Sequence, residues 1–198
     1  MRRVLLIGLL LFCLSPLATV NRGVAELGLQ AFDTSEEYIW PMEEKSELRS
    51  FDSDRSGAVF LLDFERVFEG RSSCKVIPGG AEETKLAVKI TNILDKWNGK
   101  SALFLNLYLP EDHPLNSCFL GLAMTTPDWQ WVDGCMAATS LVPGEWNRVL
   151  FKLTDKMKFL RPRRQYAIYL CFWQDEEGIK VPLRKTDPFY IDGIGLIQ

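Results

Sequence analysis

An all-β fold, an antiparallel β-sandwich, is predicted by three features of the sequence. Segment after segment alternates apolar with polar or small residues at a period of two. Turn signals such as Pro78-Gly79-Gly80, Gly99 and Pro143-Gly144 punctuate the chain. No long stretch sets its apolar residues at helical spacing; only "TNILDKW" and "DKMKFLRPRR" read as helical turns. With 198 residues, 47% of them hydrophobic and 25% charged, the chain has room for one domain with a real core.

Taken in order, residues 1–25 read as a signal peptide. Arg2 and Arg3 precede an unbroken apolar run, Val4 to Leu14, which ends at Ser15-Pro16. A basic start, a short apolar stretch and a helix breaker are the layout of an export signal, with cleavage expected after Ala25. A membrane anchor needs about 20 apolar residues, more than this run supplies. Cys13 follows Leu11-Phe12, not the small residues that precede a lipid-modified cysteine. The expectation is a secreted or periplasmic protein with no membrane insertion after cleavage. Losing Arg2, Arg3 and Arg22 makes the formal charge of −3 more negative by three. Such a balance lacks the basic field that a nucleic-acid partner requires.

Residues 26–47 form an acidic, irregular lead, expected to be loose and to pack Tyr38 and Trp40 onto the domain. Residues 48–198 carry the sandwich. In "TKLAVKI", Leu86, Val88 and Ile90 alternate with Lys85, Ala87 and Lys89. In "SALFLNLYLP", Leu103, Leu105, Leu107 and Leu109 alternate with Phe104, Asn106 and Tyr108. In "NRVLFKL", Val149, Phe151 and Leu153 oppose Arg148, Leu150 and Lys152. In "QYAIYLCFW", Tyr166, Ile168, Leu170 and Phe172 oppose Gln165, Ala167, Tyr169, Cys171 and Trp173. Trp97 and Trp146 read as loop anchors.

Export makes disulfides possible among Cys74, Cys118, Cys135 and Cys171. "CFLGLAMTTPDWQWVDGC" reads as a hairpin folded between Thr126 and Pro127, which sets Met124 opposite Trp129 and Cys118 opposite Cys135. Opposed Cβ atoms lie about 4.5–5.5 Å apart, close to bridging distance, so a Cys118–Cys135 disulfide is expected. That register puts Trp129 and Trp131 on the face of Leu120, Leu122 and Met124. It makes Trp131 a core residue and leaves Trp129, near the turn, open. The opposite face, with Gly121 and Ala123, is shallow enough to floor a groove. Cys74 reads as a buried thiol. No Cys-x-x-Cys or clustered His/Cys spacing supports zinc.

Catalytic patterns are scarce, and no enzyme is expected. His113 is the only histidine, and it reads as an exposed loop residue. Asp175, Glu176 and Glu177 are a consecutive run, read as a solvated turn rather than a spaced acid pair. Gly193-Ile194-Gly195 has no helix after it and is no phosphate loop. Lys152, Lys156, Lys158, Arg161, Arg163 and Arg164 read as a solvated basic connection, with an anionic polymer or envelope as the functional alternative.

The order "RSFDSD", "FEGRSSCKV", "LDKWNGKSALFLNLYLPED", "LVPGEWNRVLFKL" and "FYIDGIGLI" resembles galactose-binding-like jelly rolls. These occur as carbohydrate-binding modules and as accessory β-sandwich domains of polysaccharide-degrading enzymes. The resemblance covers residues 48 to 198 and implies a structural calcium held by an acid of the first strand, backbone carbonyls and the closing-strand Asp. Carried over, those are Asp52 and Asp192. Asp52 stands where such relatives have Glu, one methylene longer, and Asp54 is the alternative ligand. A salt bridge or backbone N–H donors to Asp192 are the alternative.

Sugars offer apolar C–H faces to flat rings and hydroxyls to amides. If the strands "SALFLNLYLP" and "QYAIYLCFW" share a sheet, Asn106, Tyr108, Gln165, Tyr169 and Trp173 form a carbohydrate-binding surface. The expected function is therefore non-catalytic recognition of a polysaccharide or other glycan. The alternative is a protein-binding or envelope-assembly module on the same scaffold, with an envelope protein as partner.

Overall fold

The computed structural model describes residues 35–113, 118–137, 141–177 and 179–198. The predicted signal peptide, its cleavage point and the start of the acidic lead lie outside the described residues. In chain order the elements are β1 (Glu36–Trp40), α1 (Lys45–Leu48), β2 (Phe51–Asp52), β3 (Val59–Asp63), β4 (Ser73–Ile77) and β5 (Thr84–Lys89). A 3-10 turn (Thr91–Ile93) leads into α2 (Leu94–Trp97) and β6 (Ala102–Tyr108). Next come β7 (Cys118–Thr125), β8 (Trp131–Met136), β9 (Trp146–Lys152) and α3 (Asp155–Lys158). The chain closes with β10 (Ala167–Glu176), β11 (Ile179–Val181) and β12 (Phe189–Ile197).

The strands make the predicted antiparallel sandwich. One sheet runs β3-β4-β12-β6-β9, with β1 also on β12; the other runs β2-β5-β10-β7-β8, with β11 also on β10. Period-two alternation sorts each strand into an inner and an outer row. Leu103, Leu105, Leu107, Val149, Phe151, Phe189 and Ile191 of the first sheet are buried against Leu86, Val88, Leu122, Met124, Ile168, Leu170 and Phe172 of the second. Each such side chain contributes roughly 1.5–3 kcal/mol on full burial.

The two predicted helical turns exist and close one end of this core. Trp97 of α2 is fully buried, and its Nε1–H donates to the Met157 carbonyl of α3 at 2.7 Å. Asn98 pins the same segment, donating to the Leu160 carbonyl at 3.3 Å and accepting its N–H at 2.9 Å.

The acidic lead is not loose where it is described. Glu36–Trp40 forms β1, pairing Glu36 with Ile197 and Tyr38 with Gly195, and Trp40 enters the core. The sandwich therefore begins before residue 48. The cause lies in β12, which pairs with β4 only through Phe189–Ile191 and would leave Ile194–Ile197 open on that side. The change of neighbour falls at Asp192-Gly193, where the pairing with β6 also slips. Gly193 has φ +54, and an added Cβ would lie 2.6 Å from the Tyr38 ring, so this kink needs glycine.

The hairpin register differs from expectation. Cys135 lies opposite Leu122 and Met124 opposite Asp133, because the turn is longer, with the Thr126 N–H bonded to the Gln130 carbonyl at 2.9 Å. Cys135 is thus displaced four residues along β7 from Cys118, about 13 Å, and a disulfide bond cannot reach. Cys74, Cys135 and Cys171 are free thiols. Thr125 pairs with Trp131 while Met124 pairs with Asp133, so Val132 is an extra residue, a β-bulge. One extra residue inverts the face of everything beyond it. Trp131, expected in the core, turns outward.

Replacing Trp97 with Ala should lower unfolding free energy by about 3–5 kcal/mol, from the cavity and the lost Nε1–H bond. Equilibrium denaturation would check this; a loss below about 1 kcal/mol would show that the indole is no plug.

Candidate functional site

The outer rows of the two sheets differ in their cover. On the second sheet, Tyr169, Cys171 and Trp173 of β10 point outward between buried Ile168, Leu170 and Phe172. Opposite Tyr169 and Cys171 in register stand Ala123 and Gly121 of β7, and across from those Gly134 and Met136 of β8. Small residues keep the middle of this face low. Trp173 lies across Gly121, where a Cβ would be 3.1 Å from its ring, and Trp131 lies across Gly134, where one would be 2.8 Å away. The result is a trough of about 570 Å³.

Its aromatic lining is graded in exposure. Trp129 is 59% and Trp131 65% exposed, whereas Trp173 is only 9% exposed. Trp129 takes φ +62 at the end of the turn, a rare conformation for a large side chain, and packs on Tyr169 with ring centroids 5.6 Å apart and planes at 31°. The Lys180 ammonium sits 4.4 Å from the Trp173 ring centre. Trp173 is therefore a floor, and the two open rings are Trp129 and Trp131.

One end of the trough is charged. Lys85 Nζ contacts Asp54 Oδ2 at 3.2 Å and Glu83 Oε2 at 3.9 Å, and Lys180 Nζ pairs with Glu83 Oε1. Past Trp129 the trough continues into an alcove of about 660 Å³ lined also by Arg55, Ser56, Ala81 and Glu82. The thiols offer no chemistry here: burial pushes Cys171 up to about 12 and Cys135 up to about 11.

Of the residues expected to bind carbohydrate, Tyr169 and Trp173 meet in this trough. Gln165 is exposed ahead of β10 and does not line it. Asn106 and Tyr108 are elsewhere, because β6 belongs to the first sheet and not to the sheet of β10. Asn106 is buried, with its Oδ1 accepting from Arg148 Nη1 at 3.1 Å. Tyr108 is covered by Trp146 (5.5 Å), Tyr190 (5.9 Å) and the Arg66 guanidinium (5.8 Å). The outer face around Tyr108 is covered by these neighbours. His113 is buried rather than exposed; its Nε2–H donates to the Asp187 carbonyl at 2.9 Å, and burial holds its pKa below the usual histidine value. In the basic connection, Arg164 donates to Gln130 Oε1 at 3.0 Å, and residues 152–164 do not line the trough.

Asp192 is 1% exposed. Its Oδ2 accepts the Phe68 and Glu69 N–H groups at 2.8 and 3.2 Å, while Oδ1 has no hydrogen-bond partner among the described residues. The carboxylate thus ties the loop after β3 across the first sheet. Asp52 is not beside it: β2 belongs to the other sheet, and the exposed Asp52 accepts the Asp54 N–H at 2.9 Å. Around Asp192, both Glu43 oxygens accept the Arg71 N–H at 3.0 Å, and Glu69 Oε2 accepts the Tyr38 hydroxyl at 3.0 Å. Calcium takes six to eight oxygens. Among the described residues no group of three or more His, Cys, Asp or Glu side chains could hold a metal ion. Asp52 and Asp192 thus stand on strands of different sheets, each accepting backbone N–H groups.

Burial pushes Asp192 from 3.8 up to about 6, against the lowering effect of the Glu69 and Phe68 N–H groups. Folding therefore favours the protonated carboxyl. That stability is full below about pH 4 and is lost as pH rises through about 6, up to about 3 kcal/mol for a shift of this size. The variant Asp192→Asn should lose this slope while keeping an acceptor for both N–H groups. Denaturation midpoints from pH 4 to 7 would run parallel for both proteins if Asp192 did not titrate there.

No protein-family model and no curated protein matches the chain. Solved structures do. The CBM22-2 xylan-binding domain from Paenibacillus barcinonensis Xyn10C superposes with a TM-score of 0.55 at 13% identity, over 81% of this chain and 96% of that one. The tandem CBM22-1-CBM22-2 domain of the same protein gives 0.51 at 13% identity, over 82% of this chain and 49% of that one. A structure bearing on the promiscuous specificity of carbohydrate-binding modules of the β-sandwich superfamily gives 0.50 at 15% identity; this chain spans 56% of its length. At such identities the likeness is one of fold: the chain has the jelly-roll β-sandwich of carbohydrate-binding modules.

Proposed function

We propose that the protein binds a polysaccharide chain along the outer face of its second sheet and does no chemistry on it. The observation that carries this is the pair of exposed indoles, Trp129 and Trp131, raised beside a trough kept low by Gly121, Ala123 and Gly134. A monomer soluble in water gains nothing by exposing two large rings side by side unless something flat covers them. The C–H faces of a pyranose supply that cover. Tyr169 and Trp173 then complete the aromatic lining, and Asp54, Glu83 and Lys85 meet hydroxyls at the charged end. The xylan-binding module of similar fold supports the reading, and the export signal read from residues 1–25 would send the protein to where such polymers are. A protein-binding role has one feature in its favour, the exposed Val59, Leu61 and Phe64 at β3.

Trp131→Ala and Trp129→Ala should each weaken binding to a soluble polysaccharide at least tenfold, a loss of about 1.4 kcal/mol. Tyr108→Ala, on the first sheet, should leave it unchanged. Affinity electrophoresis with a panel of xylan, mannan and β-glucan would read this out. Equal retardation of all variants would place the site elsewhere, and no retardation of the parent by any polymer would sink the glycan reading.

A further inference from the structure

The trough and its alcove share Asp54, Glu83, Lys85 and Trp129, so they form one groove. Its described charges are balanced: Asp54, Glu82 and Glu83 against Arg55, Lys85 and the Lys180 that lies on Trp173. Glu83 has a special place among them. Its Oε1 meets Lys180 and its Oε2 lies 3.9 Å from Lys85, so one carboxylate holds two ammonium groups from different strands. Lys85 is held a second time by Asp54 at 3.2 Å; among the described side chains Lys180 has Glu83 as its ion-pair partner.

We propose that Glu83 is the specificity determinant of this groove, restricting it to uncharged glycans by neutralising Lys85 and Lys180. This rests on the glycan reading above and adds a ligand class to it. A sugar hydroxyl both donates and accepts, so it can give its proton to a carboxylate while taking one from the ammonium beside it. A closed ion-pair network satisfies such a group without needing net charge. A uronate carboxylate has no proton to give. It would have to draw an ammonium away from Glu83 or stand next to Glu83 and Asp54, in a partly water-excluded groove where like charges repel more strongly than in bulk. The basic connection cannot compensate, because residues 156–164 do not line the groove.

The test uses the full chain, its Glu83→Gln variant and, as a control, Lys180→Gln, against a neutral xylan, a neutral mannan and polygalacturonate. The parent should be retarded by a neutral polymer and not by polygalacturonate. Glu83→Gln frees Lys180 and should bind polygalacturonate at least fivefold more tightly than the parent, with the gain lost at high salt. Lys180→Gln breaks the same ion pair without freeing a cation and should show no gain. The proposal is overturned if the parent binds polygalacturonate as well as a neutral polymer, or if Glu83→Gln gains nothing while still binding the neutral one. If neither protein binds any polymer, the glycan reading itself has failed.

Discussion

Burial of the two inner sheet faces against each other is the constraint from which the rest of the structure follows. Once Leu103, Leu105 and Leu107 are committed to face Ile168, Leu170 and Phe172, every alternate residue on those strands is forced outward. Recognition can then use only the two outer faces or the loops, and the outer faces have opposite fates. Around Tyr108 and Tyr190 the first is covered by its own chain: Arg66 stacks over Tyr190 at 5.1 Å, and Phe68 packs on Trp146 at 5.8 Å. The second is left with a glycine-floored trough.

Asp192 belongs to the first of these outcomes. A charge in a closing strand looks out of place until its partners are counted. The two backbone N–H groups it accepts belong to the loop that carries Phe68, so the carboxylate converts a free loop into a lid over Tyr108 and Tyr190. Cost and benefit are both visible: one oxygen is left without a partner among the described residues, and the rings of Tyr108 and Tyr190 are covered.

What the sequence made legible was set by the range of the physics involved. Alternation is local, so the strands and their inner rows could be read from "SALFLNLYLP" and "QYAIYLCFW" without knowing their neighbours. Which strands share a sheet is decided by crossovers that leave no local trace. That is why Asn106 and Tyr108 were joined to Tyr169 and Trp173, across what proves to be the thickness of the sandwich. In the lead segment Glu36 and Glu37 hide the strand pattern; the segment is ordered by a stretch of β12 about 160 residues away that β4 leaves open. Trp131 was lost to a single bulge at Val132, a feature without a signature in "WQWVDG". The small residues were the better clue. Gly121, Ala123 and Gly134 announce a low floor, and a low floor beside two indoles marks the groove.

The placing of the indoles has an optical consequence. Trp40 and Trp97 are buried among core side chains, whereas Trp129 and Trp131 stand exposed on one rim. The long-wavelength side of the emission band therefore belongs largely to the groove, and a collisional quencher such as iodide reaches those two rings first. Whatever comes to lie on that rim must shield them. The protein carries its own spectroscopic reporter of occupancy, built from the same side chains that would make the contact.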